Sequence, residues 1–73
     1  MTLKDIFGFI SRYEYLVIKD AYEKVIYDNP YYEMTNETKE EIQDFTVANL
    51  GAYSKTKGKE EIEYLEIMVY DRT

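Results

Sequence analysis

The stretch Ile62-Glu63-Tyr64-Leu65-Glu66-Ile67-Met68-Val69-Tyr70 decides the fold class of this chain. It is rich in β-branched and aromatic residues and reads with a period of two, which predicts a strand. Leu65, Ile67 and Val69 then share one face, while Ile62, Tyr64, Glu66, Met68 and Tyr70 share the other. The first face is purely aliphatic and suits a buried core. The second mixes tyrosine and methionine with a carboxylate.

Immediately before this strand, Thr56-Lys57-Gly58-Lys59 predicts a turn, with Gly58 free to take positive φ. Phe45 to Ser54 predicts the preceding strand. It places Ala48, Leu50 and Ala52 on one face, and Val47, Asn49, Gly51 and Tyr53 on the other. Two shorter strands are expected nearer the N-terminus, at Tyr15-Leu16-Val17-Ile18 and Lys24-Val25-Ile26-Tyr27, joined through Asp20-Ala21-Tyr22-Glu23 as a hairpin. In the first of these, Leu16 and Ile18 oppose Tyr13, Tyr15 and Val17. Asn29-Pro30 closes the second, because proline cannot donate to a ladder.

Thr2 to Ser11 predicts a helix. Thr2 can cap it with Asp5 in the reciprocal position, and Leu3, Ile6, Phe7 and Ile10 form one apolar stripe. Gly8 weakens it by about 1 kcal/mol relative to alanine, so packing must hold it. A second short helix is expected to run to about Asp44. Thr38-Lys39-Glu40-Glu41 has capping-box spacing, and Thr35 or Asn36 offers an earlier cap. So short a helix needs Ile42 and Phe45 as anchors.

The expected architecture is therefore α+β. An N-terminal helix packs on a largely antiparallel sheet of about four strands, built from two hairpins, in one small domain over residues 1–73. The expected core is Leu3, Ile6, Phe7, Ile10, Leu16, Ile18, Ile26, Leu50, Leu65, Ile67 and Val69. The facing of Val25 against Ile26 depends on register, which a one-residue slip would exchange. A chain of 73 residues buries only about 60% of its unfolded surface, so this core is marginal.

Composition narrows function. The chain has no cysteine and no histidine, which removes disulfides, thiolate metal sites and the commonest general base. No catalytic residue, metal site or cofactor is assigned, and no enzyme activity is expected. Calcium loops need acids and a glycine at fixed offsets that do not occur here. Direct nucleic-acid binding is not expected either. Fifteen Asp and Glu against nine Lys and Arg give a net charge of −6, and Lys55, Lys57 and Lys59 cluster only at one turn beside Glu60 and Glu61. The N-terminal segment lacks the continuous apolar stretch of a secretion signal, and no run approaches the roughly 20 residues of a membrane span. The sequon Asn36-Glu37-Thr38 is then a chance match, and a cytoplasmic location is expected.

Two surfaces are candidates for interaction. Glu37, Glu40, Glu41 and Asp44 stand at helical spacing and would form an acidic stripe, with Glu60, Glu61, Glu63 and Glu66 as a second acidic group. Such a stripe is either an ordinary solvated face or an imitation of a nucleic-acid backbone aimed at a basic groove. The second candidate is the tyrosine-rich sheet face, with Tyr15, Val17, Tyr53, Tyr64, Met68 and Tyr70. It is either tyrosines packing on one another or a docking surface for a second copy or a protein partner.

The segments Met1 to Asp5, Tyr15 to Asp20, Val25 to Asp28, Val47 to Ser54 and Tyr64 to Tyr70 together resemble those of small acidic proteins encoded by bacteriophages and prophages. That family has no agreed activity, so the resemblance carries over no functional residue. It implies a mobile-element origin, where acidic inhibitors of host defence proteins recur. The expected function is a non-enzymatic interaction protein that binds a basic groove of a host nucleic-acid-handling or defence protein. The alternatives are a small-ligand-binding oligomer with tyrosine-lined pockets and a purely structural homo-oligomer.

Overall fold

The structure, a computed structural model, describes residues 1–70. Its elements run α1 (Leu3–Phe7), β1 (Tyr15–Lys19), β2 (Val25–Pro30), a 3-10 turn (Tyr31–Glu33), α2 (Asn36–Ile42), β3 (Thr46–Lys57) and β4 (Glu60–Tyr70). The strands form one sheet in the order β2-β1-β4-β3. Both expected hairpins are antiparallel, but they join through a parallel seam between β1 and β4, so the sheet is mixed. The fold is α+β. No helix among the described residues is long and apolar enough to cross a membrane.

The first helix is shorter than the expected span to Ser11. It ends at Phe7 with Gly8 at its C-cap, and Ile10 lies beyond it, half-buried against the core. Its start follows the sequence. The Thr2 N–H donates to Asp5 Oδ2 at 3.0 Å, and that bond holds the Asp5 carboxyl below its usual range. The Leu3 and Lys4 N–H groups donate to the carbonyls of Phe45 and Gln43, which ties α1 to the segment after α2. In α2 the cap is Thr35, whose hydroxyl accepts from the Thr38 N–H at 3.1 Å. Ile42 is buried and Phe45 half-buried, so both expected anchors reach the core.

Leu3, Ile6, Phe7, Leu16, Ile18, Ile42, Ile67 and Val69 make one buried cluster, with Ile26 and Leu65 packed half-buried against it. Leu50 does not join them, being 46% exposed. It does point to the helix side, because it pairs with Ile67. However, β3 is an edge strand, and α1 is fastened to its first residues through the Thr2–Thr46 bridge. A five-residue helix is only about 7.5 Å long and does not extend over Leu50.

Bulges account for the remaining differences in facing. A register shift between Val47 and Asn49 leaves Ala48 unpaired and brings Val47 opposite Val69, onto the core face instead of the tyrosine face. A second shift leaves Ile26 between the pairs Ile18–Tyr27 and Lys19–Val25, and both Ile26 and Tyr27 pack on the core. Val25 is left 46% exposed. β2 runs on through Pro30, which is tolerated because β2 is the other edge strand. Gly58, at φ +66, opens a two-residue loop between the paired residues Lys57 and Glu60, as a type II′ hairpin requires.

Candidate interaction surface

Register builds the tyrosine face row by row. Pro30, Tyr15, Tyr64 and Tyr53 lie side by side across β2, β1, β4 and β3. The next row is Asp28, Val17, Glu66 and Gly51, and the third is Val25, Lys19, Met68 and Asn49. Both helices pack on the opposite side through Leu3, Ile6, Phe7 and Ile42, so no helix covers this face. Tyr53 and Tyr70 are exposed, while Tyr15, Tyr64 and Met68 are half-buried. Val17 is buried among them, away from the main cluster.

The tyrosines are held in place by charged neighbours. Lys55 Nζ lies 5.0 Å from the Tyr15 ring centre and 5.3 Å from that of Tyr64, within cation–π range. It also stands 3.6 Å from Asp28 Oδ1. The Tyr15 hydroxyl donates to the same Asp28 oxygen at 2.5 Å. That bond, with burial and the Asp28 charge adding to it, pushes the Tyr15 hydroxyl up to about 12. Lys19 pairs with Glu66 at 3.5 Å. The Tyr53 and Tyr64 rings sit 6.0 Å apart. The face is therefore an aromatic surface with its charges neutralised in pairs.

Chain comparison adds nothing to this picture. No protein-family model, curated protein or solved structure matches the chain.

The acidic stripe lies elsewhere. Glu37, Glu40 and Glu41 are exposed on α2, whereas Asp44 falls beyond the helix end at Ile42 and so leaves the helical periodicity. Lys39, the cation of α2, is turned inward over the stacked rings of Phe7 and Tyr31, at 5.6 and 5.5 Å. This leaves the carboxylates to define the outer face. Because α2 packs on the helix side, the sheet stands between these acids and the tyrosines. One flat partner surface cannot touch both groups.

The second acidic group is divided by strand alternation. Glu60 and Glu66 face the tyrosine side, and Glu61 and Glu63 face the helix side. Past the reach of α1, Glu63 joins Glu14, Ala52, Tyr53, Ser54 and Tyr64 around an open depression of about 440 Å³. Among the described residues, no group of three or more acidic side chains converges to hold a metal ion.

Sequence reasoning assembled the tyrosine row but missed Lys55 and Asp28, which fix it. A signal existed for Lys55, since it sits two residues from Tyr53 and must share its face. Asp28 carried none, because its approach to Lys55 spans the whole sheet.

Proposed function

We propose that this chain is a non-enzymatic interaction protein that docks a protein partner on the open tyrosine face of its sheet. The observation that supports it is a four-stranded sheet with helices on one side only, whose uncovered side carries Tyr15, Tyr53, Tyr64, Met68 and Tyr70. Antiparallel sheets that face water normally alternate to charged and small polar residues. Tyrosine supplies large contact area at low entropy cost, which suits an interface anchor.

The partner in this reading carries positive charge. The docking face is nearly neutral through its own ion pairs, so the net charge of −6 acts from elsewhere, the carboxylates of α2 among its sources. These acids steer association through the field and make no contact in the bound state. The resemblance to small acidic phage and prophage proteins supports a host nucleic-acid-handling or defence protein as the partner, its basic groove attracting the acids from a distance while the tyrosines meet its neighbouring surface.

The test begins with capture from bacterial host lysate at low and high salt, followed by binding kinetics with the captured protein. Paired Tyr53→Ser and Tyr70→Ser changes are expected to speed dissociation. Reversing Glu37, Glu40 and Glu41 to lysine is expected to slow association and flatten its salt dependence, because screening limits the field to about 8 Å at physiological ionic strength. Binding that ignores the tyrosine changes overturns the reading. A small molecule carried through purification, with no protein captured, supports the ligand-binding alternative.

A further inference from the structure

β3 is an edge strand of 12 residues, and the run Phe45 to Ser54 is the longest uncharged stretch in a chain that is 33% charged. Natural edge strands are usually blunted by charges, proline, bulges or shortness, because their unpaired backbone groups template further pairing. Here the Ala48 bulge and the lysines at 55 and 57 guard the two ends, and Asn49 to Ser54 between them is unguarded.

Hairpin geometry identifies which groups are open. Lys57 and Glu60 flank the two-residue turn and exchange hydrogen bonds with each other. Bonded and non-bonded pairs alternate along an antiparallel ladder, so Lys55, Tyr53 and Gly51 bond inward to β4. Ser54, Ala52 and Leu50 therefore turn their N–H and C=O groups outward. The outward Leu50 N–H is taken by Asn49 Oδ1 at 2.9 Å, a local bond that it exchanges for one to Ser54 when another strand pairs there.

We infer that β3 pairs antiparallel with β3 of a second copy about a two-fold axis at Ala52. In that register Ala52 faces Ala52 of the other copy, and Leu50 faces Ser54. Gly51 meets Tyr53 and Lys55 meets Asn49, so no like charges stand opposite; the pairing stops short of Val47, whose outward N–H already donates to the Met1 carbonyl beside the Thr2–Thr46 bridge. This matters because each copy carries a net charge of −6, so a self-contact needs a stretch that sets no acids against one another, and Asn49 to Ser54 is uncharged. The pairing extends each sheet by the other and makes the two tyrosine faces continuous. A closed isologous pair also leaves no free β3 edge to propagate.

The absence of native cysteine makes a direct test possible. Hydrogen-bonded partners have Cα atoms about 5.5 Å apart, inside the roughly 4.4–6.8 Å window for a disulfide. Ala52→Cys is expected to give a covalent dimer on oxidation. Ser54→Cys is expected to give none, since its two copies lie four positions apart along the strands, about 14 Å. Sedimentation should show wild type at twice 8.8 kDa. Ala52→Pro removes only an outward N–H, and Ala52→Lys adds an edge charge; both should sediment as folded monomers with unchanged circular dichroism. A monomeric wild type overturns the inference. So does a dimer that survives both Ala52 changes, which would place association on another surface. The tyrosine-face reading is tested separately, by the Tyr53→Ser and Tyr70→Ser variants.

Discussion

Lys55 and Asp28 belong to the two opposite edge strands, yet their charged groups meet at 3.6 Å across the tyrosine face. This ion pair runs over Tyr15 and Tyr64 as a strap, with the Tyr15 hydroxyl bonded to its acidic end. Its energy is small, about 0–1 kcal/mol for a partly exposed pair. Its effect on where the rings lie is larger.

The strap makes Tyr15 a reporter. The neutral phenol is favoured in the folded state, so this contribution to stability is complete below the ordinary value of 10.0 and is lost as pH rises through about 12. Asp28→Asn is expected to bring the Tyr15 transition down toward 10, read by the ring resonances of Tyr15 during alkaline titration. An unchanged transition would mean that Asp28 does not hold the proton.

Gly51 leaves room for the Tyr53 ring. A Cβ at position 51 would lie 2.7 Å from Tyr53 Cε2 and 2.9 Å from its hydroxyl oxygen. Gly51→Ala should therefore push the ring off the sheet and separate it from Tyr64. The atoms displaced are the far end of an exposed side chain, and alanine suits a strand better than glycine. The net stability change is expected within about 1 kcal/mol, with a clear shift of the Tyr64 ring signals.

Leu16 and Leu50 offer a controlled comparison. Leu16 is completely buried and Leu50 is 46% exposed. Leu16→Ala should cost roughly 2–5 kcal/mol, much of the total for a domain that holds about 0.05–0.15 kcal/mol per residue. Leu50→Ala should cost about 1 kcal/mol or less. Urea unfolding of the two variants decides whether the uncovered end of the sheet lies outside the cooperative core.

In the β1–β2 connection, Asp20 Oδ1 accepts from the N–H groups of Tyr22 and Lys24, and Glu23 takes φ +64. A side chain there costs roughly 1–2 kcal/mol. Glu23→Gly is expected to stabilise the domain by about 0.5–1 kcal/mol after the added unfolded-state freedom is counted. Thermal unfolding reads the sign directly.

Much of the fold was legible. The aliphatic set Leu65, Ile67 and Val69, the Gly58 turn and the Thr35 cap all follow from local chemistry. α1 stops at Phe7 although Leu3, Ile6, Phe7 and Ile10 make a continuous helical stripe, because that stripe shows which residues seek the core and not how far the helix continues to reach it. Leu50 lies on the core side yet stays exposed, because alternation gives a side of the sheet and not whether anything covers it. The bulges at Ala48 and Ile26 have no marker in side-chain type. The same limit applies to the site. Tyr15, Tyr53 and Tyr64 were grouped by period alone, whereas their separation from Glu37, Glu40 and Glu41 depends on where α2 docks.

The parallel seam has a kinetic consequence. Each hairpin joins neighbouring stretches of chain and closes with little entropic cost, but Ile18 and Ile67 come from distant parts of the chain and meet only after a long loop is closed. Closure of that loop, rather than formation of either hairpin, is then expected to limit the folding rate.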